Sequence, residues 1–572
     1  TYVKVQKGVQ PDTLSNKMVH YLDDAREDEH KTEVYLFPFK DEHFYNPDGS
    51  PASISRIRMF GLIAFFILLL ACINYINLAT AQAAVRAKEV GLRKVAGARR
   101  HNLIGQFLGE SFLMTFLGLI FALILVHLFL PQFNLLANTH IRLQYTNGIF
   151  LLGLGAIWVL TGVMSGLYPA FVLSKQDLSK VLKGNNRGNS GQKFRIGLVV
   201  LQFTLSVTLI ISVITVYLQT RFLINKDLGY QKEQLVSMGV TDQMRPHLQT
   251  IGEELRKNPQ IENCTFTSHL LTAGYSNGGG WDWEGRDPSV NPLVTNMFVD
   301  HNFLSTYKIK LTNGRDFSPE KNDLYREGQD YAKVIINETF AEIIGKEKAN
   351  EIILHRGENH DFTYQVVGIV EDFHFYKANR KIDPLIFSLG HDEELLFLTI
   401  EVAGHNMMST MKYIEKTMAT FNPGYPFTYK FVDDQYNKLY QSERRTEGIL
   451  RLFALLAIAI SCLGLFGLAT FTTQRRTKEI GIRKSLGAST RSVVWMLSRQ
   501  FSVWVLIANI IAWPLAYYAM VHFLSNFAYR IQLQLWIFLL SGMLTWLLAL
   551  LTIFQQTYLA ASRNPATSLR YE

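Results

Sequence analysis

Seven long apolar runs constrain the fold of this chain more than any other sequence feature. The run at 59–84, MFGLIAFFILLLACINYINLATAQAA, contains no charged residue. A stretch of about 20 apolar residues can cross a bilayer as a helix. This criterion favours a multi-pass membrane protein over the buried helices of a large soluble enzyme. The predicted spans are about 57–82, 103–131, 149–172, 196–222, 447–473, 493–524 and 535–560.

The basic residues between these spans predict how the chain is oriented. Segments 83–102, 173–195 and 474–491 are each rich in lysine and arginine, whereas the opposite loops contain only Arg142 and Arg530. The positive-inside rule places the basic segments in the cytoplasm. Residues 1–55 and 223–446 are then extracytoplasmic, and the C-terminus is cytoplasmic. The net charge of +9 fits such a membrane-facing surface, and no nucleic-acid-binding motif accompanies it.

An internal repeat divides the chain. AKEVGLRKVAGAR at 87–99 (the first elbow) and TKEIGIRKSLGAS at 477–489 (the second elbow) are 390 positions apart. The same offset relates Cys72 to Cys462, so we infer a tandem duplication with three spans in each copy. The second copy has a leading span and a large external domain, and the first copy shows only residues 1–55 before its spans. We therefore expect about 200 further residues upstream, including an eighth span.

The external segment has mixed α and β patterns. Residues 245–258 form an amphipathic helical pattern, and 364–370, 396–402 and 427–432 have the β-branched and aromatic composition of strands. The predicted fold class is a membrane α-helical protein with an extracytoplasmic α+β domain.

Two features of this segment allow more than one interpretation. The loop SNGGGWDWEG at 276–285 could contact a ligand or partner, or its tryptophans could close a small core. His374 stands in EDFHFY without a second ligand at metal-binding spacing, which favours an ordinary strand end over a metal site. No Ser/His/Asp, HExxH or zinc signature is present, so the pattern does not support catalysis. The three cysteines do not imply a disulfide framework.

The elbows combine a basic pair with an apolar face. Ile482 and Leu486 lie one helical turn apart, and Gly487 suits a helix C-terminus, where a positive φ is tolerated. Ser489 could cap the following helix. Anchoring in the cytoplasm requires lysine and arginine only. The shared order of Glu, Gly, Arg, Lys and Gly in both elbows favours a shaped docking surface for a cytoplasmic partner.

These motifs resemble a known family. KEIGIRKSLGAS followed by a long apolar span resembles the FtsX-like permease domain of MacB-type ABC transporters. VVGIVEDFHF and FVDHNFLSTYKIKLTNGRDF (298–317) are similar to the MacB-type periplasmic core domain. The implied domains are a remnant of a first extracytoplasmic domain (1–55), a first three-helix FtsX-like domain (56–195), a leading helix (196–222), a periplasmic core domain (223–446) and a second FtsX-like domain (447–572).

The resemblance implies the permease part of an ATP-driven system in the bacterial inner membrane. We expect the chain to lack an ATPase of its own, since no GxxxxGK[ST] motif is present. A separate cytoplasmic ABC ATPase, in two copies, would bind ATP and Mg²⁺, and the chain itself would hold no cofactor or metal. A periplasmic adaptor or lipoprotein is a further implied partner. The docking residues carried over from the family are Glu89, Gly91, Arg93, Lys94, Gly97, Glu479, Gly481, Arg483, Lys484 and Gly487.

Mechanotransmission is the expected mechanism: ATP-driven closure of the ATPases would tilt the spans and move the external domains, to export or extract a substrate. A secondary transporter is disfavoured because the repeat keeps one orientation and lacks midplane ligands. FtsX-like signalling to an envelope enzyme and lipoprotein release both use the same loops and stay open as alternatives.

Overall fold

A computed structural model describes residues 3–6, 8–19, 21, 36–45, 53–95, 99–174, 189–273, 277–321, 323–324, 331–345, 349–356, 362–375, 377–378 and 380–561. Within these ranges the chain has two parts, a bundle of long apolar helices and a domain built on one mixed sheet. The α-helices are α1 (Pro11–Met18), α2 (Ser53–Val95), α3 (Arg100–Ala137), α4 (Gly148–Ser174), α5 (Asn189–Ile224), α6 (Leu248–Arg256), α7 (Phe303–Tyr307), α8 (Glu338–Ile344), α9 (Met407–Phe421), α10 (Val432–Leu439), α11 (Gln441–Arg475), α12 (Thr477–Ser485), α13 (Thr490–Leu524) and α14 (Leu535–Ala561).

Seven helices among the described residues are long and apolar enough to cross a membrane, which confirms the seven predicted spans. They are Ile54–Ala79, Arg100–Ala137, Gly148–Leu167, Lys193–Ile224, Gln441–Gln474, Thr490–Leu524 and Leu535–Tyr558. The most buried of these spans belongs to α5, which packs against α11, α13 and α14. The leading helix of the second copy is thus the centre of that copy's bundle.

Polar groups join the two copies inside the bundle. The Asn74 side chain on α2 and the Gln202 side chain on α5 both donate to the backbone carbonyl of Ile460 on α11, at 3.4 and 3.5 Å. A β-carbon at Gly464 would lie only 2.6 Å from Asn74 Oδ1. The absent side chain at Gly464 therefore allows α2 and α11 to approach closely enough for these bonds.

The sheet domain follows α5 and precedes α11. Its strands are β1 (Leu235–Gly239), β2 (Ile261–Thr267), β3 (Asn277–Gly278), β4 (Trp281–Trp283), β5 (Val294–Val299), β6 (Leu311–Gly314), β7 (Ala332–Asn337), β8 (Ile353–Arg356), β9 (Phe362–Val370), β10 (Leu385–Leu389), β11 (Phe397–Val402) and β12 (Lys430–Phe431). The strand order is β12-β1-β11-β2-β5-β10-β7-β9-β8-β4, with β3 paired to β5 and β6 to β9. The pairs β5–β10 and β7–β9 are parallel, and the other pairs are antiparallel. The α+β prediction is confirmed.

The strands predicted at 364–370 and 396–402 coincide with β9 and β11, and the helix predicted at 245–258 contains α6. The strand predicted at 427–432 is mostly wrong, because only Lys430–Phe431 pairs as a strand. Helix α10 begins directly afterwards at Val432. Asp433 and Asp434 occupy its first turn, where negative charge stabilises a helix N-terminus.

The two tryptophans of the 276–285 segment close a small core. Trp281 and Trp283 lie on β4, are 2% and 5% exposed, and pack edge-to-face against Phe340. Of the two interpretations the sequence allowed, the core interpretation is confirmed. No group of three potential metal-binding side chains occurs among the residues that the structure describes.

Candidate functional site: the elbows and their link to the sheet domain

The second elbow is a separate helix at the end of the bundle far from the sheet domain. Helix α11 leaves the sheet domain at Gln441 and ends at Arg475, and α12 follows at Thr477. Ile480 on α12 is buried against Val493 and Leu497 at the start of α13. This small cluster folds the elbow back onto the next span and fixes its position relative to α13.

A Schellman turn ends the elbow helix. Gly487 has a φ of 92°, its N–H donates to the Lys484 carbonyl at 3.0 Å, and the Ala488 N–H donates to the Arg483 carbonyl at 2.9 Å. These two bonds satisfy carbonyls that a helix C-terminus otherwise leaves unpaired. The positive φ at Gly487 is the one predicted from sequence.

The next helix begins with the predicted cap. Ser489 Oγ accepts a 3.3 Å hydrogen bond from the Ser492 N–H in the first turn of α13. Arg99 occupies the matching position before α3 and makes no side-chain capping bond. The turn and the cap together join α12 to α13 with a defined geometry.

The described surface of the second elbow combines apolar and charged groups. Ile482 and Leu486 are 47% and 83% exposed, which confirms the predicted apolar face. Arg483 forms an i,i+4 ion pair with Glu479 at 3.1 Å, and both side chains are about half exposed. Lys484 is half-buried, and Gly481 is buried on the side of α12 that faces the bundle.

The first elbow differs in backbone. Glu89, Gly91, Arg93 and Lys94 continue α2 without a break, and Gly97 lies outside the described residues. Of these side chains the structure describes only that of Arg93, which is exposed. Its guanidinium donates to Gln106 Oε1 on α3 at 2.6 Å, and Gln106 donates to Glu110 Oε1 at 3.1 Å. Glu110 is thus part of an interfacial polar chain that ties the first elbow to α3.

A joint at the opposite end connects the bundle to the sheet domain. The Gln219 side chain near the end of α5 donates to the Tyr529 carbonyl at 2.8 Å and accepts from the Ile531 N–H at 2.9 Å. Both bonds hold the loop between α13 and α14. The Nζ atom of Lys226 lies 2.8 Å from the centroid of the Tyr529 ring. The same ring packs edge-to-face on His374, with 4.8 Å between the two ring centroids.

The charges at this joint are perturbed by burial. Burial lowers the pKa of Lys226 to about 8. Burial, and next the Lys226 charge, lower the pKa of His374 to about 4. His374 is therefore a neutral ring near pH 7, and it contributes packing to the joint. The sequence placed His374 at a strand end and gave no signal that it would meet the α13–α14 loop.

The sheet domain also contacts the bundle where the chain passes from it into α11. The Ala378 N–H donates to the Tyr440 hydroxyl at 2.8 Å, and Lys377 pairs with Glu443 in the first turn of α11 at 3.2 Å. Tyr436 on α10 donates to the carbonyl of Leu223 near the end of α5 at 3.3 Å. Contacts from α5, from α11 and from the loop between α13 and α14 thus join the bundle to the sheet domain.

Comparison with known proteins agrees with the repeat. The FtsX-like permease C-terminal domain matches the chain twice, at residues 61–178 and 451–565. The macrolide export ATP-binding/permease protein MacB of Nitrosomonas europaea is 32% identical over 120 residues, which cover 21% of this chain and 18% of that protein. The pyoverdine export ATP-binding/permease protein PvdT of Pseudomonas entomophila is 30% identical over 22% of this chain and 18% of its own length. The alignments thus span less than a fifth of these relatives.

Among solved structures, the periplasmic region of MacB from Actinobacillus actinomycetemcomitans aligns with 38% of this chain and 96% of its own, at 14% identity and a TM-score of 0.26. The extracellular domain of the noncanonic ABC-type transporter YknZ from Gram-positive bacteria aligns with 34% of this chain and 96% of its own, at 12% identity and a TM-score of 0.24. The two matches to the FtsX-like permease C-terminal domain lie 390 positions apart, like the two elbows, and each covers the three spans of one copy.

Proposed function

We propose that this chain is the permease subunit of an ATP-driven ABC transporter and that it couples ATP hydrolysis by a separate ATPase to movement of the sheet domain. The similarity to export ATP-binding/permease proteins supports the ABC assignment. The observation that carries the proposal is the second elbow, where a positioned helix presents an uncovered apolar face beside basic side chains.

Docking is assigned to both elbows. In the second elbow, Ile482 and Leu486 would enter an apolar site on the ATPase, while Arg483 and Lys484 would meet acidic groups at its rim. Glu479, Gly481 and Gly487 would hold this surface in shape. The first elbow would use Glu89, Gly91, Arg93, Lys94 and Gly97 in the same way, so one chain would bind two ATPases. ATP and Mg²⁺ would be held by those subunits.

The proposed mechanism is mechanotransmission. The basic elbows and the C-terminus would face the cytoplasm, and the sheet domain would lie outside. Movement of an elbow would tilt α11 and α13, and the joint at Gln219 and Tyr529 would pass this tilt to the sheet domain. The movement would export or extract a substrate, without a channel through the bilayer.

The test is purification of the full chain from membranes with its bound cytosolic proteins. We expect two copies of an ABC ATPase to copurify with the native chain and one copy to be lost from the double variant Arg483→Glu, Lys484→Glu. Arg530→Glu, which changes a charge in the loop at the other end of α13, is the control and should retain both copies. Absence of any ATPase, or retention of both copies by the double variant, would contradict the proposal.

The same preparation separates the alternative functions. A permease that signals to an envelope enzyme would copurify that enzyme, and a lipoprotein-releasing subunit would copurify a lipoprotein. If either protein copurified together with an ATPase, the proposed docking at the elbows would stand. Signalling or lipoprotein release would then replace export as the proposed function.

A further inference from the structure

A groove beside the second elbow brings two arginines together. It has a volume of about 490 Å³ and lies between α12 and the first four turns of α13. We call it the arginine groove, and it is lined by Arg483, Ala488, Ser492, Val493, Trp495, Met496, Arg499, Gln500, Val503 and Trp504. Its floor is apolar, and its two charged side chains are both cations.

The positive charge of this groove is only partly neutralised within the chain. No carboxylate lines it. Arg483 is paired with Glu479 at 3.1 Å. Arg499 is exposed and makes no hydrogen bond or ion pair with any residue that the structure describes. An exposed arginine beside apolar side chains favours an anionic partner, and the described part of the chain supplies none for Arg499.

The first copy supplies a built-in comparison. At an offset of 390, Arg93 matches Arg483, Gly109 matches Arg499 and Glu110 matches Gln500. There the Arg93–Gln106–Glu110 chain brings a carboxylate to the elbow arginine. The second copy has Gln500 at the position of that carboxylate and Arg499 at the position of Gly109.

The depth of Arg499 favours a lipid over a protein as the source of the anion. Helix α13 has 35 residues and is about 52 Å long, while the hydrocarbon core is about 30 Å thick. With the helix centred, the hydrocarbon begins about 11 Å from its first residue, and the Cα of Arg499 lies about 14 Å along it, about 3 Å inside this boundary. A long arginine side chain at this depth can extend to the lipid headgroups. Trp495 of the groove lies about 8 Å along the helix, at the headgroup level where tryptophans are enriched.

We propose that the arginine groove binds the phosphate headgroup of an anionic phospholipid from the leaflet at the elbow end of the helices. The guanidinium of Arg499 binds the phosphate, and the acyl chains pack on the apolar wall beside Trp495. This inference does not depend on the proposed transport function. It predicts that the second elbow responds to the anionic lipid content of the membrane through Arg499.

The test measures quenching of the protein's tryptophan fluorescence by brominated lipids in reconstituted vesicles of the full chain. Brominated phosphatidylglycerol is compared with brominated phosphatidylcholine. We expect the native chain to prefer the anionic lipid about fivefold, because one basic side chain at an anionic surface contributes about 1 kcal/mol. The preference should fall to about one in Arg499→Gln. In Trp495→Phe the part of the quenching that arises in the groove should be lost.

Two further variants keep the test sharp. Gln500→Glu restores the carboxylate of the first copy without removing an arginine, and it should also abolish the preference. Arg491→Gln removes one charge from the first turn of α13, outside the groove, and should leave the preference intact. Each variant is first checked for native thermal unfolding.

Three outcomes would overturn the proposal. The first is equal quenching by both lipids in the native chain. The second is an equal loss of preference in Arg491→Gln and Arg499→Gln, which would reduce the effect to general surface charge. The third is an unchanged lipid preference in Arg499→Gln together with the loss of a copurifying protein, which would assign the groove to a protein partner.

Discussion

At the scale of single residues, Gly487 shows how one backbone angle shapes the second elbow. A β-carbon at Gly487 would meet no atom within 4 Å, so space is not the constraint. The constraint is its φ of 92°, which residues with a β-carbon adopt at a cost of about 1 kcal/mol. The conformation is therefore what requires glycine at this position, and it lets α12 end in a Schellman turn.

The first prediction is that Gly487→Ala loosens the turn. Hydrogen exchange at the amides of 487 and 488 should accelerate about fivefold, which corresponds to about 1 kcal/mol. Gly109→Ala is the control, because Gly109 lies inside α3 with no atom within 4 Å of its β-carbon position. An alanine there should leave exchange unchanged or slower. Equal behaviour of the two variants would contradict the role assigned to Gly487.

The second prediction concerns His374 and acid. Its pKa is lowered from 6.5 to about 4, so between these values the unfolded chain binds the proton that the folded domain excludes. The free energy of unfolding therefore falls as pH falls through this window, by about 2 kcal/mol between pH 7 and 4.5. Urea unfolding of the native chain and His374→Gln at several pH values measures the difference. Parallel pH curves for the two proteins would rule out this contribution.

At the scale of elements, the loops that follow α3 and α13 are closed in different ways. In the second copy Gln219 of α5 holds the backbone of Tyr529 and Ile531. In the first copy Asn134 of α3 makes the corresponding bonds to Ile141, donating to its carbonyl and accepting from its N–H. The first loop is thus closed by its own helix, whereas the second is fastened to a neighbouring span and to the sheet domain.

The third prediction uses trypsin to report on this fastening. Gln219→Leu leaves a backbone carbonyl and an N–H without their partner, which costs about 1–3 kcal/mol. Cleavage after Arg530, in the second loop, should accelerate. Asn134→Leu is the matched variant and should accelerate cleavage after Arg142 in the first loop only. An unchanged rate of trypsin cleavage after Arg530 in Gln219→Leu would show that the Gln219 side chain does not hold the second loop.

At the scale of the whole molecule, the duplication has produced two unequal halves. The first elbow continues α2 directly, whereas the second is a separate helix joined to α13 by a Schellman turn. In the part of the chain that the structure describes, the large sheet domain is fastened to the second copy. We infer that the second copy carries most of the movement and that both elbows serve as docking sites.

The fourth prediction tests whether the elbows dock independently. Charge reversal at Arg93 and Lys94, or at Arg483 and Lys484, should each lower the number of bound ATPases from two to one, and reversal at all four should remove both. Native mass spectrometry of the purified complex counts them. Loss of both ATPases after a change in one elbow would show that the elbows act as a single site.

The sequence alone determined the spans, the duplication and the elbow motif, since these depend on local properties. Hydrophobic length predicts a membrane helix, and a repeated string such as KEIGIRK is visible without coordinates. Gly487 and Ser489 were also predictable, because helix ends require particular residues within one turn. Of the strand predicted at 427–432, only Lys430–Phe431 forms, and Val432 already belongs to α10.

Only the tertiary structure decided which distant groups meet. Tyr529 reaches His374 and Lys226, and Arg499 joins Arg483 in one groove, although no local pattern links these positions. Such contacts depend on how helices and sheet pack, and packing is set by the whole set of buried surfaces. The sequence therefore specified a duplicated membrane protein with two elbows. The packed structure made the two halves different.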